Sequence, residues 1–361
     1  MNDNLRRYRA IRDALTHAYP TPPTGHFARH LHTLAALISG IVGGKSTQLP
    51  HIATKVPDGR KPESRVKRFT RWLDNERIVE EVYFLPYAAL LWTQLALETL
   101  VLVMDGSVGG RGCMALRIHV VSQGRALPLA WRVRQGPKGH CPEALHIAVV
   151  ELIRTVIPEG ATVVLLGDGE FDGTDLQRTL HELGWSYVCR TAMSTTATWN
   201  GQTFRLDALG ACLKPGRLIE LQDVHVTRDA YGPIMVLCCW AKGYKEPLYL
   251  VSTMATAEEA CRLYQKRFHI ETFFSDQKSR GFHIHKSHIS DVQRLSRLLI
   301  AACLAYIWIV YLGSVGSRDR WRSIIHRQKR CDVSLFQLGL RLLEYFLNED
   351  LPIPVQFYVT I

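Results

Sequence analysis

The chain has 361 residues, 47% of them hydrophobic, with 44 Lys and Arg against 33 Asp and Glu for a formal charge of +11. Such apolar content excludes a disordered chain, and the length allows two or three domains, each with a real core. The positive excess favours a polyanionic partner, nucleic acid or an anionic membrane, over an acidic small molecule.

Residues 1–98 read as helical. Residues 1–80 hold fourteen Lys or Arg against seven Asp or Glu, with a dense basic run from Lys61 to Arg77. The N-terminus is charged throughout and lacks the apolar core of a signal peptide. His30 to Ser39, the pair Gly43-Gly44 and the stretch from Thr47 fit a helix-turn-helix, and a plain helical bundle with a basic surface fits as well. Gly44-Lys45-Ser46 is not a phosphate-binding loop, because Ser39 stands where the first glycine is required and no buried strand precedes it.

From Thr99 the pattern changes to strands. Thr99 to Asp105, Met114 to Ser122 and Ala126 to Val133 are strand-like runs, the last two joined tightly at Gln123-Gly124-Arg125. Pro142 to Ile157 is an amphipathic helix, Val163 to Gly167 a buried strand, Gly173 to Leu183 a helix and Trp185 to Arg190 a strand. This order of elements is that of a ribonuclease-H-like fold. Residues 192–255 are too long for a connection, and Arg217 to Thr227, Pro233 to Lys242 and Pro247 to Thr253 suggest a β-rich insertion. Nine cysteines without regular spacing, the only close pair being Cys238-Cys239, read as reduced thiols of a cytoplasmic protein.

Thr256 to Gly281 reads as one long helix. Thr256 with Glu259 forms a capping box, Lys278 and Arg280 complement the dipole of the last turn, and Gly281 can take the left-handed conformation that ends a helix. At about 100° per residue, Tyr264, Arg267, Glu271 and Lys278 fall within an arc of roughly 60°. This row suits a metal ion flanked by phosphate contacts, and it also suits a solvated face with an ion pair between Arg267 and Glu271. Beyond it, His283, His285 and His288 lack a cysteine or carboxylate at ligand spacing and read as solvated or phosphate-facing. Leu298 to Leu312 is apolar but shorter than a membrane span and reads as a buried helix, so no membrane partner is expected. Ser317 to Arg330 is basic, which suits a phosphate contact or a solvated loop, and Val333 to Leu347 is a last amphipathic helix.

Two acidic residues are placed alike. Asp105 ends the apolar run Leu100 to Met104, and Asp168 follows Val163 to Leu166 and Gly167, each run being short and continuous like a strand buried on both faces. With Glu271 on a helix packed against that sheet, three hard oxygen ligands could converge, a set that suits Mg²⁺ or Mn²⁺ and not zinc. The acidic neighbours Glu170, Asp172 and Asp175 are explained equally well as turn formers and helix caps.

Asp105, Asp168 and Glu271, together with Tyr264, Arg267, Glu271 and Lys278 at their spacings, resemble the DDE triad and YREK motif of insertion-sequence transposases, in particular the insertion-sequence-four group. The similarity covers about Glu98 to Leu312 and, more loosely, the helical N-terminal part. The fold class expected is α/β, a ribonuclease-H-like mixed sheet with a β-rich insertion and a helical N-terminal DNA-binding region. Its divisions are 1–98 for DNA binding, 99–191 for the first part of the catalytic core, 192–255 for the insertion and 256–361 for the rest of the core. The resemblance implies catalysis and metal binding by Asp105, Asp168 and Glu271 with two Mg²⁺ or Mn²⁺ ions, and DNA contacts from Tyr264, Arg267 and Lys278. It further implies double-stranded DNA as partner, both element ends and target, a hairpin intermediate and a homodimer on DNA. In some members an insertion tryptophan stacks on a flipped base; Trp240 is the candidate, with Trp199 behind it, against the alternative of a core tryptophan. The competing functional reading is a catalytically silent DNA-binding regulator derived from a transposase, and a nuclease that cuts without joining is a third.

Overall fold

The computed structural model describes residues 2–19, 21–95, 99–137, 139–327 and 332–357. Six helices come first: α1 (Asp3–His17), α2 (Gly25–Gly44), α3 (Leu49–Thr54), α4 (Pro62–Asp74), α5 (Glu80–Tyr83) and α6 (Leu85–Leu95). Lys45, in the left-handed region, ends α2 by donating its N–H to carbonyls of the last turn. The helix after that turn is only six residues long, with Ile52 and Ala53 buried against α2, where a Cβ on Gly40 would strike Ile52. A helix of under two turns, with two of its six residues in the core, does not supply the recognition helix that the sequence pattern suggested. Within the basic run, Arg65 and Arg68 pair with Asp58 and Arg65 also donates to the Ala53 carbonyl. Lys61, Lys67, Arg71 and Arg77 are the cations of that run left exposed.

The apolar runs of the middle of the chain make one ten-stranded sheet. Strands β1 (Leu100–Gly110), β2 (Cys113–Ser122) and β3 (Arg125–Gln135) form an antiparallel meander, turned between β2 and β3 at Gln123-Gly124, both with positive φ. Helix α7 (Glu143–Arg154) leads to β4 (Val163–Gly167), and α8 (Thr174–Glu182) leads to β5 (Ser186–Arg190). Because β4 runs parallel to both β1 and β5, the local order β3-β2-β1-β4-β5 is the ribonuclease-H-like arrangement. Residues 192–255 contribute β6 (Thr196–Trp199), β7 (Gln202–Arg205), α9 (Asp207–Ala211), β8 (Arg217–Val226), β9 (Tyr231–Trp240) and β10 (Leu248–Ser252). These strands extend the same sheet, since β10 pairs antiparallel with β5 and the order continues β10-β9-β8-β6-β7.

The stretch expected as one helix is interrupted. Helix α10 (Ala257–Tyr264) starts where the Thr256 hydroxyl accepts the Glu259 N–H at 3.3 Å, a 3₁₀ turn follows over Gln265–Phe268, and α11 covers His269–Gln277. All residues at the two junctions keep right-handed helical torsions, so the axis continues while the turn tightens. The end also differs: α11 stops at Gln277, and Gly281 is not left-handed. A glycine is required there for space instead, because a Cβ would collide with the Asp276 carbonyl and the Phe336 ring.

Helix α12 (Val292–Gly316) has 25 residues, long and apolar enough to cross a membrane and longer than the run read from the sequence. It lies inside the protein, with Leu298 through Ile309 all without exposed surface. At roughly 1.5–3 kcal/mol for each fully buried large aliphatic or aromatic side chain, this helix is the largest single source of apolar stabilisation. Helix α13 (Asp319–Ile325) follows, and α14 (Leu335–Asn348) closes on α12, backbone against backbone, where Gly313 and Gly339 leave no room for a Cβ. The end of the basic stretch after Ser317, residues 328–330, lies outside the described residues.

Candidate active site

Asp105 does not end its strand. The pairing of β1 with β4 stops at Val103↔Leu166, whereas its pairing with β2 continues to Gly110 and sets Asp105 opposite Arg117. Asp105 thus lies just past the parallel ladder, at the edge of the sheet reached by the carboxyl ends of the parallel strands. Continuing the register of that ladder brings Asp105 beside Asp168, which follows β4 directly. Local backbone donors hold both carboxylates: the Gly106 N–H lies 2.6 Å from Asp105 Oδ1, and the Glu170 N–H reaches Asp168 Oδ1 at 3.0 Å. Carboxylates fixed by backbone N–H groups arrive already aimed, with little rotamer freedom left to lose.

The interrupted helix supplies the opposite wall. In a 3₁₀ turn residues three apart eclipse, so Tyr264 and Arg267 stand one above the other, with the Arg267 guanidinium carbon 6.0 Å from the centroid of the Tyr264 ring. One turn on, Arg267 Nη2 is 3.4 Å from Glu271 Oε1 while Nη1 is 4.0 Å from Asp105 Oδ2. A single, mostly buried guanidinium therefore links the strand-borne and the helix-borne carboxylate. Glu271 itself is 56% exposed and Asp105 17%. Burial pushes the Tyr264 hydroxyl up to about 12, opposed by the nearby positive charges of Arg267 and Arg190, so it is a hydrogen-bonding phenol and not a phenolate.

Lys278 lies one residue beyond α11, with torsions outside the helical basin, and its ammonium sits 5.6 Å from the Phe274 ring centroid. Trp240, the last residue of β9, is half-buried and donates its indole N–H to the Tyr244 carbonyl at 2.9 Å. It shares an open groove of about 970 Å³ with Tyr264, Arg267, Phe268 and Arg190. Trp199 lies on β6, towards the far edge of the sheet. Asp168 opens instead into a neighbouring recess of about 520 Å³, lined also by Gly106, His140 and Glu170.

Among the described residues, the oxygens of Asp105, Asp168 and Glu271 do not lie within 4.8 Å of one another. Three ionised carboxylates repel without a cation between them, and here a guanidinium sits between two of the three. The donor set is all oxygen, which fits a hard divalent ion. Two groove residues were not read from the sequence. Arg190 is exposed at the carboxyl end of β5, a position the strand pattern marks, because ligands of α/β sheets collect where parallel strands end. Phe268, 51% exposed under the Arg267 guanidinium at 5.0 Å, carries no such mark.

Among solved structures, the chain is similar to a piggyBac transposase synaptic complex with hairpin DNA, at 11% identity and a TM-score of 0.47 over 97% of this chain and 82% of that one. Human ENDOV is similar at 11% identity and a TM-score of 0.26, over 62% of this chain and 100% of that one. No curated protein sequence matches. The family model of the transposase DDE domain, however, matches residues 102–308, from the strand bearing Asp105 through the helix bearing Glu271 and into α12. By that match over more than half its length, the chain belongs to the transposase DDE domain family, enzymes that use divalent metal ions to cut and transfer DNA.

Proposed function

We propose that this transposase is that of an insertion sequence of the insertion-sequence-four group, and that Asp105, Asp168 and Glu271 are its catalytic metal ligands. The observation that carries the proposal is the Arg267 guanidinium 3.4 Å from Glu271 and 4.0 Å from Asp105, a positive charge shared by a carboxylate of the sheet and a carboxylate of the helix. Asp105, Asp168 and Glu271 would hold two magnesium or manganese ions, which would supply activation of the attacking oxygen and stabilisation of the leaving one.

The chain's own residues do the rest. Asp105 and Asp168, held by the Gly106 and Glu170 N–H groups, present fixed oxygens at the sheet edge. Glu271 approaches from the helix. Arg267 exchanges its carboxylate partners for a DNA phosphate once those carboxylates are otherwise neutralised, because its planar fork suits phosphate as well as carboxylate. Tyr264 keeps its proton and orients the DNA end by hydrogen bonding, Lys278 contacts phosphate, and Trp240 offers its ring to a displaced base across the shared groove. Exposed Lys61, Lys67, Arg71 and Arg77 bind the flanking duplex. The products in this reading are a free 3′-hydroxyl at each end, a hairpin and then joined target DNA, within a homodimer that pairs two ends in the bacterial cytoplasm.

The test is cleavage of a labelled duplex carrying the ends of the encoding element, with Mg²⁺ or Mn²⁺. Metal-dependent nicking and hairpin formation are expected, reduced at least about 10³-fold in Asp105→Ala, Asp168→Ala and Glu271→Ala while end binding persists. Near wild-type cleavage in any of the three overturns the ligand assignment. Binding without cutting by the wild type under either metal supports a DNA-binding regulator instead. Lys278→Ala is expected to bind the ends more weakly yet retain metal-dependent cutting, and unchanged affinity and rate would make this lysine a helix-end cation only.

A further inference from the structure

A second cluster of ligand atoms lies behind the loop that carries Asp168. Cys141 Sγ, a His146 ring nitrogen and a Glu170 carboxylate oxygen all fall within 4.8 Å of one another. The three come from separate segments: Cys141 from the link between β3 and α7, His146 from α7, and Glu170 from the turn after β4. Cys141 and His146 are buried, and Glu170 is partly open to the recess shared by Gly106, His140 and Asp168.

The cluster is incompletely satisfied from within. Glu170 Oε1 accepts the Cys141 N–H at 2.6 Å and lies 3.5 Å from His146 Nε2. That nitrogen, on a residue only 1% exposed, has no hydrogen-bond partner. A buried ring nitrogen that meets a carboxylate only at 3.5 Å, without a hydrogen bond, is a costly arrangement unless something else occupies the centre. The Arg134 guanidinium contacts the Cys141 thiol and donates to the Gly139 and His140 carbonyls at 3.5 and 3.3 Å, tying down the segment that carries the thiol.

We propose that Cys141, His146 and Glu170 bind a zinc-class divalent ion that fixes the Asp168 loop, a site separate from the all-oxygen site of phosphoryl transfer. One sulfur, one nitrogen and one oxygen are the mixed donor set of zinc and unlike that of magnesium. Tetrahedral bonds of about 2.0–2.3 Å place these ligand atoms roughly 3.3–3.6 Å apart, so the cluster closes around an ion with small side-chain movements. The thiolate and carboxylate together neutralise the dication. The open side of Glu170 gives the ion a way in and leaves the fourth position to water. Glu170 is two residues from Asp168 and caps its carboxylate through its own N–H, so an ion on the Glu170 side chain also positions Asp168.

Cobalt is the probe, because a bound thiolate gives Co²⁺ a near-ultraviolet charge-transfer band. Full-length protein stripped of metal is titrated with Co²⁺ and then back-titrated with Zn²⁺. The expected result is a thiolate band saturating at about one equivalent and displaced by Zn²⁺. The band disappears in Cys141→Ser, weakens at least about tenfold in apparent affinity in His146→Gln and Glu170→Gln, and persists in Asp105→Ala. Absence of the band in the wild type overturns the proposal without recourse to any variant, as does a band that survives Cys141→Ser or vanishes in Asp105→Ala.

Discussion

Arg267 neutralises two carboxylates from different parts of the chain, and this makes it a competitor of any cation they bind. With Nη atoms 3.4 and 4.0 Å from Glu271 and Asp105, neither contact has the short bidentate geometry of a strong pair. The competition is therefore worth only about 1 kcal/mol. Arg267→Gln is expected to raise the affinity of the free protein for Mn²⁺ several-fold, read by titration of free Mn²⁺, and to lower the cleavage rate tenfold or more because the phosphate contact goes with it. Unchanged Mn²⁺ affinity would show that the arginine and the ion do not share those carboxylates. Asp276, one turn past Glu271, is a different kind of residue. Fully buried with neither oxygen hydrogen-bonded, its carboxyl is raised by desolvation from 3.8 to about 6, against the opposing charges of Arg125 and Arg280. Between those values the native state keeps a proton that the unfolded chain releases, so stability falls as pH rises from about 4 to about 6 and the loss is complete above that. Asp276→Asn is expected to gain up to about 3 kcal/mol at pH 7 and nothing below pH 4, measured by urea unfolding at both pH values.

At the scale of elements, the helix that carries the site was legible in its start and in the Tyr264–Arg267–Glu271 part of its face, but not in its middle or its end. Thr256 and Glu259 mark the N-terminus through capping chemistry that is local in sequence, and the Thr256 hydroxyl does accept the Glu259 N–H. Thr256→Ala is expected to cost about 1 kcal/mol of unfolding free energy, and a change below about 0.3 would mean that α10 is held by packing alone. The 3₁₀ turn over Gln265–Phe268 has no such signature. Neither glycine nor proline interrupts that segment, so nothing local in the sequence marks it. The same contrast holds in the sheet: β1 was recognised by its apolar run, yet its continuation past Asp105 depends on pairing with β2, a non-local fact. The hairpin of β6 and β7 was missed although Asn200 and Gly201, both with positive φ, are the residues such a turn requires; four-residue strands are too short to show alternation. The cluster of Cys141, His146 and Glu170 escaped for another reason, because its members meet only after β3, α7 and β4 are assembled.

Across the whole molecule, the N-terminal helices and the catalytic sheet share one core through α12. Arg297 of α12, itself buried, donates to the Leu73 carbonyl at 2.7 Å and to the Ile78 carbonyl at 3.2 Å, and Arg294 pairs with Asp74 at 3.1 Å. Arg6 of α1 donates to the Leu347 and Phe346 carbonyls and pairs with Asp350 at 3.0 Å, tying the start of the chain to the end of α14. The other side of α12 faces the sheet, with the Ser296 hydroxyl accepting the Trp131 indole N–H at 2.8 Å. A chain beginning at Thr99 would uncover the surface that α2 and α4 now cover on α12, an apolar helix, and so expose an aggregation surface. Full-length protein is expected to unfold in one cooperative thermal transition, with calorimetric and van't Hoff enthalpies equal. The shortened chain is expected to aggregate or to bind a hydrophobic dye strongly. Two resolved transitions in the full-length protein, or a soluble shortened chain that still cuts DNA, would mean that the helical region is an independent module, joined to the sheet by contact and not by a common core.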